Sequence, residues 1–446
     1  MSGAKERVAV VGAGLAGGEA AWQLAQRGTP VLLLEMKPGR RTPAHSADTF
    51  AELVCSNSFR SAELTNAAGL LKEELRRLGS LLIACADQTK VDAGGALAVD
   101  RRAFSQIVTE KLKAHPLIQT EQAHVEQIPA EGPAIIATGP LTDGPLAQDI
   151  IDWLGEKEAL SFYDAAAPIV SAASLDMDKA YFASRYGKGT GLDYINCPMN
   201  REEYLAFWQE LRQAEQAPVH GFEDKKVFEG CMPVEVMARR GEDTLRYGPM
   251  KPVGLPDPRT GEEPYAVVQL RRENSQGTMF NLVGFQTHLR FPEQKRVFSM
   301  IPGLERAEFL RYGVMHRNSY LCSPRALDGF YRAKKDSRVM FAGQMTGVEG
   351  YVESIASGFA CGVNMARQLA GRELIAFSPR TALGALARHI SQYDGGDFQP
   401  MNVNFGLIDP LEQRVRGKRN RYAQVAQRAL EEIDQYRDIV MEDLAQ

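Results

Sequence analysis

Residues 7–36 read RVAVVGAGLAGGEAAWQLAQRGTPVLLLEM. No other stretch limits the possible folds as strongly. Val8 to Val11 has the pattern of a short buried strand. Gly12-Ala13-Gly14-Leu15-Ala16-Gly17 fits G-x-G-x-x-G, and Ala20, Ala21, Leu24 and Ala25 then recur at helical spacing. Val31 to Leu34 is a second strand that runs into Glu35. In such a unit Gly12 permits the tight turn, Gly14 lets the backbone approach a pyrophosphate, and Gly17 lets helix and strand pack closely. The start of the helix offers N–H groups and a positive dipole end to the phosphates. Glu35 can accept hydrogen bonds from a ribose. A lone glycine motif is weak evidence, but strand, glycines, helix, strand and terminal acid together predict a dinucleotide-binding α/β domain.

Later segments bear on which dinucleotide this is. Residues 92–112, DAGGALAVDRRAFSQIVTEKL, read as a Gly-Gly turn, a strand and an amphipathic helix. GPAIIATGP at 132–140 is a buried strand ending in Ala137-Thr138-Gly139. Residues 338–366 form another strand, glycine turn and helix. Gly343, Gly347 and Gly350 precede the helix, and Ala356, Ser357, Gly358, Ala360 and Gly362 lie within it. This is a second place where backbone can lie against a ligand, and the small residues equally suit close helix packing. A second binding segment so far along the chain favours a long, extended FAD. The expected fold is therefore α/β, a glutathione-reductase-type FAD-binding Rossmann domain.

Residues 166–310 read differently, as short strands and turns with one clear helix from Arg201 to Gln213 capped by Asn200. We expect an inserted α+β domain there. The FAD-binding domain would then comprise residues 1–165 and 311–446, the latter ending in a helical region. Within the insertion, residues 226–274 are expected to be strands and turns, and MFNLVGFQTHL at 279–289 a further strand.

Composition narrows the functional classes. The chain has 446 residues, 44% of them hydrophobic and 24% charged, which is ordinary for a globular protein. No apolar run approaches the roughly 20 residues needed to span a bilayer, and the N-terminus lacks a signal-peptide pattern, so a cytoplasmic location is expected. The net charge of −4 disfavours non-specific polyanion binding, but a local basic face such as Arg414 to Arg421 remains open. The six cysteines form no CxxC pair, which argues against zinc and against a disulfide framework. Cys55, in ELVCSNSF, and Cys231, in FEGCMPVEVMARRG, lie in polar or turn-like surroundings. On the residues alone, buried filler and reactive thiol stay equally open for both.

Several blocks in one order carry a resemblance over essentially the whole chain. They include VVGAGLAGGEAAWQLA, TPAHSADTFAELVCSNSF, DYINCPMNREEY, FEGCMPVEVMARRG, GPMKPVGL, YGVMHRNSYL and AGQMTGVEGYVESIASG. The sequence resembles the folate- and FAD-dependent tRNA (uracil-5-)-methyltransferases, the TrmFO family, whose relatives by fold are the MnmG (GidA) flavoproteins. The resemblance implies FAD reduced by NADPH or NADH, 5,10-methylenetetrahydrofolate as one-carbon donor, and ribothymidine formed at uridine 54 in the T arm of tRNA. It also implies no metal and no membrane. The family's two catalytic cysteines fall on Cys231 and Cys55. His316 is implied to stack on the folate, with a structural hydrogen-bonding role as the alternative. Glu349 and Tyr351 are implied to lie by the flavin. Arg414, Lys418 and Arg419 belong to the cluster expected to hold tRNA phosphates. The alternatives are a small-molecule FAD oxidoreductase, an MnmG-like enzyme making a different modification, and a non-catalytic flavin-binding scaffold or RNA-binding partner.

The chemistry explains why two thiols and two cofactors occur together. Uracil C5 is a poor nucleophile, and a thiolate adding at C6 turns C5 into an enolate carbon. That attack is expected of Cys231. Arg239-Arg240 and Lys225-Lys226 nearby either assist the thiol, hold phosphate, or form a solvated charged face. Reduced flavin can carry the folate's methylene carbon to C5 and supply hydride. The resemblance implies that Cys55 lies near the flavin, and the exchange of these two roles between Cys55 and Cys231 stays open. No residue in the sequence stands out as the base that removes the C5 proton.

Overall fold

The computed structural model describes residues 6–42, 44–155, 160–165, 167–217, 232–274, 276–313, 315–393 and 398–444, with backbone alone for 160–165 and 315–317. The chain opens with β1 (Val8–Val11), α1 (Leu15–Gln26) and β2 (Val31–Glu35). It continues through β3 (Ser58–Ser61), α2 (Ala67–Arg77), α3 (Leu81–Gln88), β4 (Lys90–Val91), β5 (Ala96–Val99) and α4 (Arg101–Ala114). Then come β6 (Ile118–Gln122), β7 (Ala134–Ile136), α5 (Gly144–Leu154) and β8 (Leu160–Ala165). A second group follows: β9 (Ile169–Ser171), β10 (Tyr181–Phe182), β11 (Tyr194–Met199), α6 (Arg201–Gln213), α7 (Val234–Arg240), β12 (Ala266–Arg272), β13 (Met279–Leu282), α8 (Phe291–Phe298) and β14 (Phe309–Arg311). The chain closes with β15 (Met315–Tyr320), α9 (Ser323–Ala326), β16 (Val339–Phe341), α10 (Tyr351–Leu369), α11 (Ala382–Gln392) and α12 (Lys418–Glu442).

Two sheets organise these elements. The first is parallel, in the order β16-β7-β1-β2-β6, so its outer strand β16 comes from the far end of the chain. Strands β16, β7, β1 and β2 are apolar or nearly so, as a sheet covered on both faces requires, while the edge strand β6 (IQTEQ) is polar and largely exposed. The second is antiparallel, in the order β10-β11-β12-β13-β9-β14, with α6, α7 and α8 beside it. β8 and β15 pair antiparallel where the chain passes between the two groups, Asp164 opposite His316. Each sheet has its own apolar core. Among the described residues no helix is long and apolar enough to cross a membrane.

Local chemistry accounts for the helix starts. Asn200 accepts from Glu203 N–H while the Glu203 carboxylate accepts from Asn200 N–H, so α6 begins with a complete capping box. Asp100 accepts from the N–H groups of Arg102 and Ala103 and starts α4.

Two expectations change. Residues 234–240 are a helix rather than strand and turn. Pro233 starts it, and the buried Glu235 faces inward, accepting from the Thr287 hydroxyl at 2.8 Å and His288 N–H at 3.0 Å. The strand expected over 279–289 stops at Leu282, because Gly284 turns the chain at φ +76° and Phe285 drops into the second core.

Candidate active site

A cleft of about 440 Å³ opens at the carboxyl ends of the parallel strands. All five strands supply its walls: Gly12 and Gly14 after β1, Glu35 at the end of β2 and Lys37 beyond it, Ala123 after β6, Thr138 after β7, Gly343 after β16. Ligands of doubly wound sheets bind at this edge. The cleft continues past Glu349, Gly350 and Tyr351 to the loop carrying Cys55.

The glycines divide by role. Gly12 has φ +97°, and a Cβ there would lie 2.6 Å from Ala137 O. At Gly17 a Cβ would lie 1.8 Å from Gly12 O, so this glycine lets α1 close onto the β1 turn. At Gly14 a Cβ would meet nothing within 4 Å. The turn is thus tight on the protein side and open on the cleft side, which fits the backbone approach of an extended dinucleotide. Leu15 and Ala16 line the cleft, while Ala13 is buried and gives its N–H to Glu35 Oε2 at 2.9 Å. Glu35 Oε1 accepts from Lys37 N–H at 3.1 Å. Each carboxylate oxygen keeps a further lone pair for a ribose hydroxyl.

The second glycine turn is built differently. Gly343 and Gly350 line the cleft, but Gly347 lies behind its wall, where a Cβ would strike the Phe398 ring at 2.5 Å. The small residues of α10 serve packing. A Cβ on Gly358 would lie 2.1 Å from Ala16 O, and one on Gly362 2.6 Å from Ala20 O, so α10 crosses α1 backbone to backbone. Glu349 accepts from Gln344 Nε2 at 2.6 Å, and its carbonyl accepts from Asn402 at 2.7 Å.

The Cys55 loop is held from several directions. The Tyr351 hydroxyl accepts from Cys55 N–H at 2.8 Å and Ser56 N–H at 3.1 Å. Burial pushes the Tyr351 phenol well above its ordinary pKa, so it stays a neutral acceptor. Arg101 donates to Leu53 O at 2.5 Å, Arg311 to Val54 O at 2.6 Å, and Arg271 to Ser56 Oγ at 2.7 Å and Asn57 Oδ1 at 3.0 Å. Burial, and then the facing charge of Arg101, pull Arg311 below its ordinary value, while Cys55 acts in the opposite direction. Cationic crowding around a half-buried cysteine is the setting of reactive thiols. Cys85, Cys197 and Cys361 are instead fully buried. Burial pushes Cys85 up to about 11 and Cys197 up to about 12, and raises Cys361 as well, so these three remain thiols at neutral pH. Among the described residues, Cys55, Cys85, Cys197, Cys322 and Cys361 are in no disulfide.

Sequence reasoning missed several lining residues. Lys37 donates to Thr49 O at 2.5 Å and lies 3.9 Å from Glu52. His45 accepts or donates at 2.7 Å to Thr42 Oγ1, and burial followed by the Lys37 charge lowers its pKa, so the ring is neutral at pH 7. The signal for His45 and Glu52 was present in the block TPAHSADTFAELVCSNSF. Arg271 had none, because nothing in its own neighbourhood points to a loop more than two hundred residues earlier.

A family model for glucose inhibited division protein A (GIDA) matches residues 7–373. The methylenetetrahydrofolate--tRNA-(uracil-5-)-methyltransferase TrmFO of Acetivibrio thermocellus is 58% identical over 427 residues, covering 96% of this chain and 98% of that relative. The chain belongs to the TrmFO family. The TrmFO of Geobacter sulfurreducens is likewise 58% identical, over 436 residues, covering 98% of this chain and 99% of that relative. The form II crystal structure of GidA from Aquifex aeolicus superposes with a TM-score of 0.71 at 15% identity, over 99% of this chain and 74% of that one. The shared fold is the FAD-binding Rossmann class expected from the glycine turn.

Of the residues that the TrmFO resemblance singled out, Cys55, Glu349 and Tyr351 meet in the cleft. Cys231 lies outside the described residues, as do Lys225 and Lys226. His316 belongs to β15 with its side chain outside the described residues, and Asn318, on the same strand, lines the cleft. Arg414, Lys418 and Arg419 are exposed and do not line the cleft.

Proposed function

We propose that the chain transfers the one-carbon unit of 5,10-methylenetetrahydrofolate to C5 of uridine 54 in the tRNA T loop, with bound FAD and with NADPH or NADH as reductant. A cytoplasmic location accords with this role. When bound, the flavin supplies the redox chemistry that turns the transferred carbon into a methyl group. The chain's own residues do the rest. The Gly12–Gly14 turn and the start of α1 hold the pyrophosphate, and Glu35 accepts from the ribose. Cys231 adds to uracil C6, which gives C5 its nucleophilic character, and leaves once C5 has been substituted and deprotonated.

The observation that carries this reading is the Cys55 loop. Its thiol, in no disulfide, stands near guanidinium groups in the same cleft as the dinucleotide glycines. Anaerobic incubation with unmodified tRNA, NADPH and carbon-labelled methylenetetrahydrofolate tests it. Label in ribothymidine is expected, and it should disappear in Cys231→Ala and Cys55→Ala. NADPH oxidation without label transfer would instead indicate a small-molecule oxidoreductase.

A further inference from the structure

Beside the cleft lies a second concavity of about 440 Å³, lined by Val403, Phe405, Lys418, Arg419 and Tyr422 together with the start of α2. The Phe405 and Tyr422 rings stack at 4.1 Å with 16° between their planes. Lys418 Nζ lies 5.6 Å from the Tyr422 ring centre and the Arg421 guanidinium 5.4 Å. Both rings are only partly buried. Arg414, Arg416, Lys418, Arg419 and Arg421 are all exposed, and among the described residues none forms an ion pair. Three of these cations, Lys418, Arg419 and Arg421, stand at a flat aromatic pair in a chain of net charge −4, a setting that matches a ligand both anionic and aromatic.

The concavity adjoins the cleft. Asn402 lines the cleft and Val403 the concavity, so one short segment forms the wall between them. That wall is anchored. Val403 N–H donates to the buried Glu353 carboxylate at 2.8 Å, and Glu353 pairs with Arg60, itself a cleft residue. Phe405 and Tyr422 are therefore within reach of the nucleotides next to a base held in the cleft.

We infer that Phe405 and Tyr422 are a stacking platform for an unpaired base flanking the uridine being modified, with Lys418 and Arg419 on its phosphate. This rests on the reading that the cleft acts on tRNA. RNA loops are recognised in this way, by stacking of splayed bases on aromatic side chains.

The test uses full-length, FAD-loaded protein and unmodified tRNA, with affinity followed by fluorescence anisotropy across a salt series. Tyr422→Ala weakens binding on the order of 10-fold while the slope of log K against log salt stays unchanged. Tyr422→Phe restores affinity. Lys418→Ala and Arg419→Ala each make that slope shallower by about one. Phe405→Leu, which keeps apolar bulk without a flat face, weakens binding as Tyr422→Ala does. Wild-type affinity in Tyr422→Ala or Phe405→Leu, or no rescue by Tyr422→Phe, overturns the platform. Wild-type protein that binds tRNA yet transfers no label sinks the proposed activity and leaves the platform standing.

Discussion

The turns that open α1 and α10 are both glycine-rich, both follow a strand of the parallel sheet, and both reach the cleft. They are nevertheless built for different purposes. In the first, glycine is required against the protein at Gly12 and Gly17, and the open side at Gly14 faces the cleft. In the second, the space at Gly347 is taken by Phe398 and the space at Gly350 by the Glu353 carboxylate. The first turn keeps room for a ligand; the second is filled by the protein and contributes through Glu349 and Tyr351. A glycine count cannot tell these apart, because what distinguishes them is the group standing where a Cβ would go.

Substitutions can break this contrast. Gly17→Val puts its Cβ 1.8 Å from a backbone oxygen that cannot move without opening the sheet, and should cost about 3 kcal/mol or more of stability, read by chemical denaturation. Gly347→Ala combines φ +87° with the Phe398 ring. It should cost about 1–3 kcal/mol while FAD content is retained. Tyr351→Phe leaves the N–H groups of Cys55 and Ser56 without their acceptor and should cost about 1–3 kcal/mol. Its label transfer should fall further than its FAD content. Gly14→Ala, with open space around it, should change stability by less than about 0.5 kcal/mol, yet weaken FAD retention measured by dialysis and absorbance. A Gly14→Ala variant that keeps full FAD affinity would remove the assigned difference between the turns.

A third helix start sharpens the comparison through pH. The first N–H groups of α11, at Ala382 and Leu383, donate to the buried Glu74 carboxyl at 2.8 and 2.9 Å, so this end is satisfied entirely within the protein. Burial raises Glu74 from 4.5 to about 8. Between these values the folded chain holds a proton that the unfolded chain releases, so this group's contribution is complete below pH 4.5 and is lost as pH rises through about 8. Glu74→Gln should flatten that part of the stability profile in denaturation curves at pH 5 and pH 8. An unchanged slope would mean the carboxyl is ionised throughout.

The structure shows which features could be read in advance. The β1–α1–β2 unit and the Asn200 cap were legible, because each depends on residues within a few positions of one another. The helix at 234–240 was not, since its V-E-V alternation suits a strand and its inward-facing Glu235 is satisfied by Thr287 and His288 from elsewhere in the chain. The small residues of α10 left ligand contact and helix packing both open until Gly358 and Gly362 were seen against α1. For Cys55, filler and reagent were equally consistent with its neighbours. The difference comes from Arg271 and Arg311, more than two hundred residues away.

By itself the sequence determined the parallel dinucleotide-binding fold, the identity of the glycine turn and the family resemblance. Backbone conformation at a tight turn and hydrophobic periodicity are properties of adjacent residues. Only the tertiary structure decided which glycine faces ligand and which faces protein, and which cysteine stands among cations. It also decided that Phe405 meets Tyr422 beside the cleft. Electrostatic setting and open space depend on groups brought together from distant parts of the chain, and no local pattern encodes where those groups will stand.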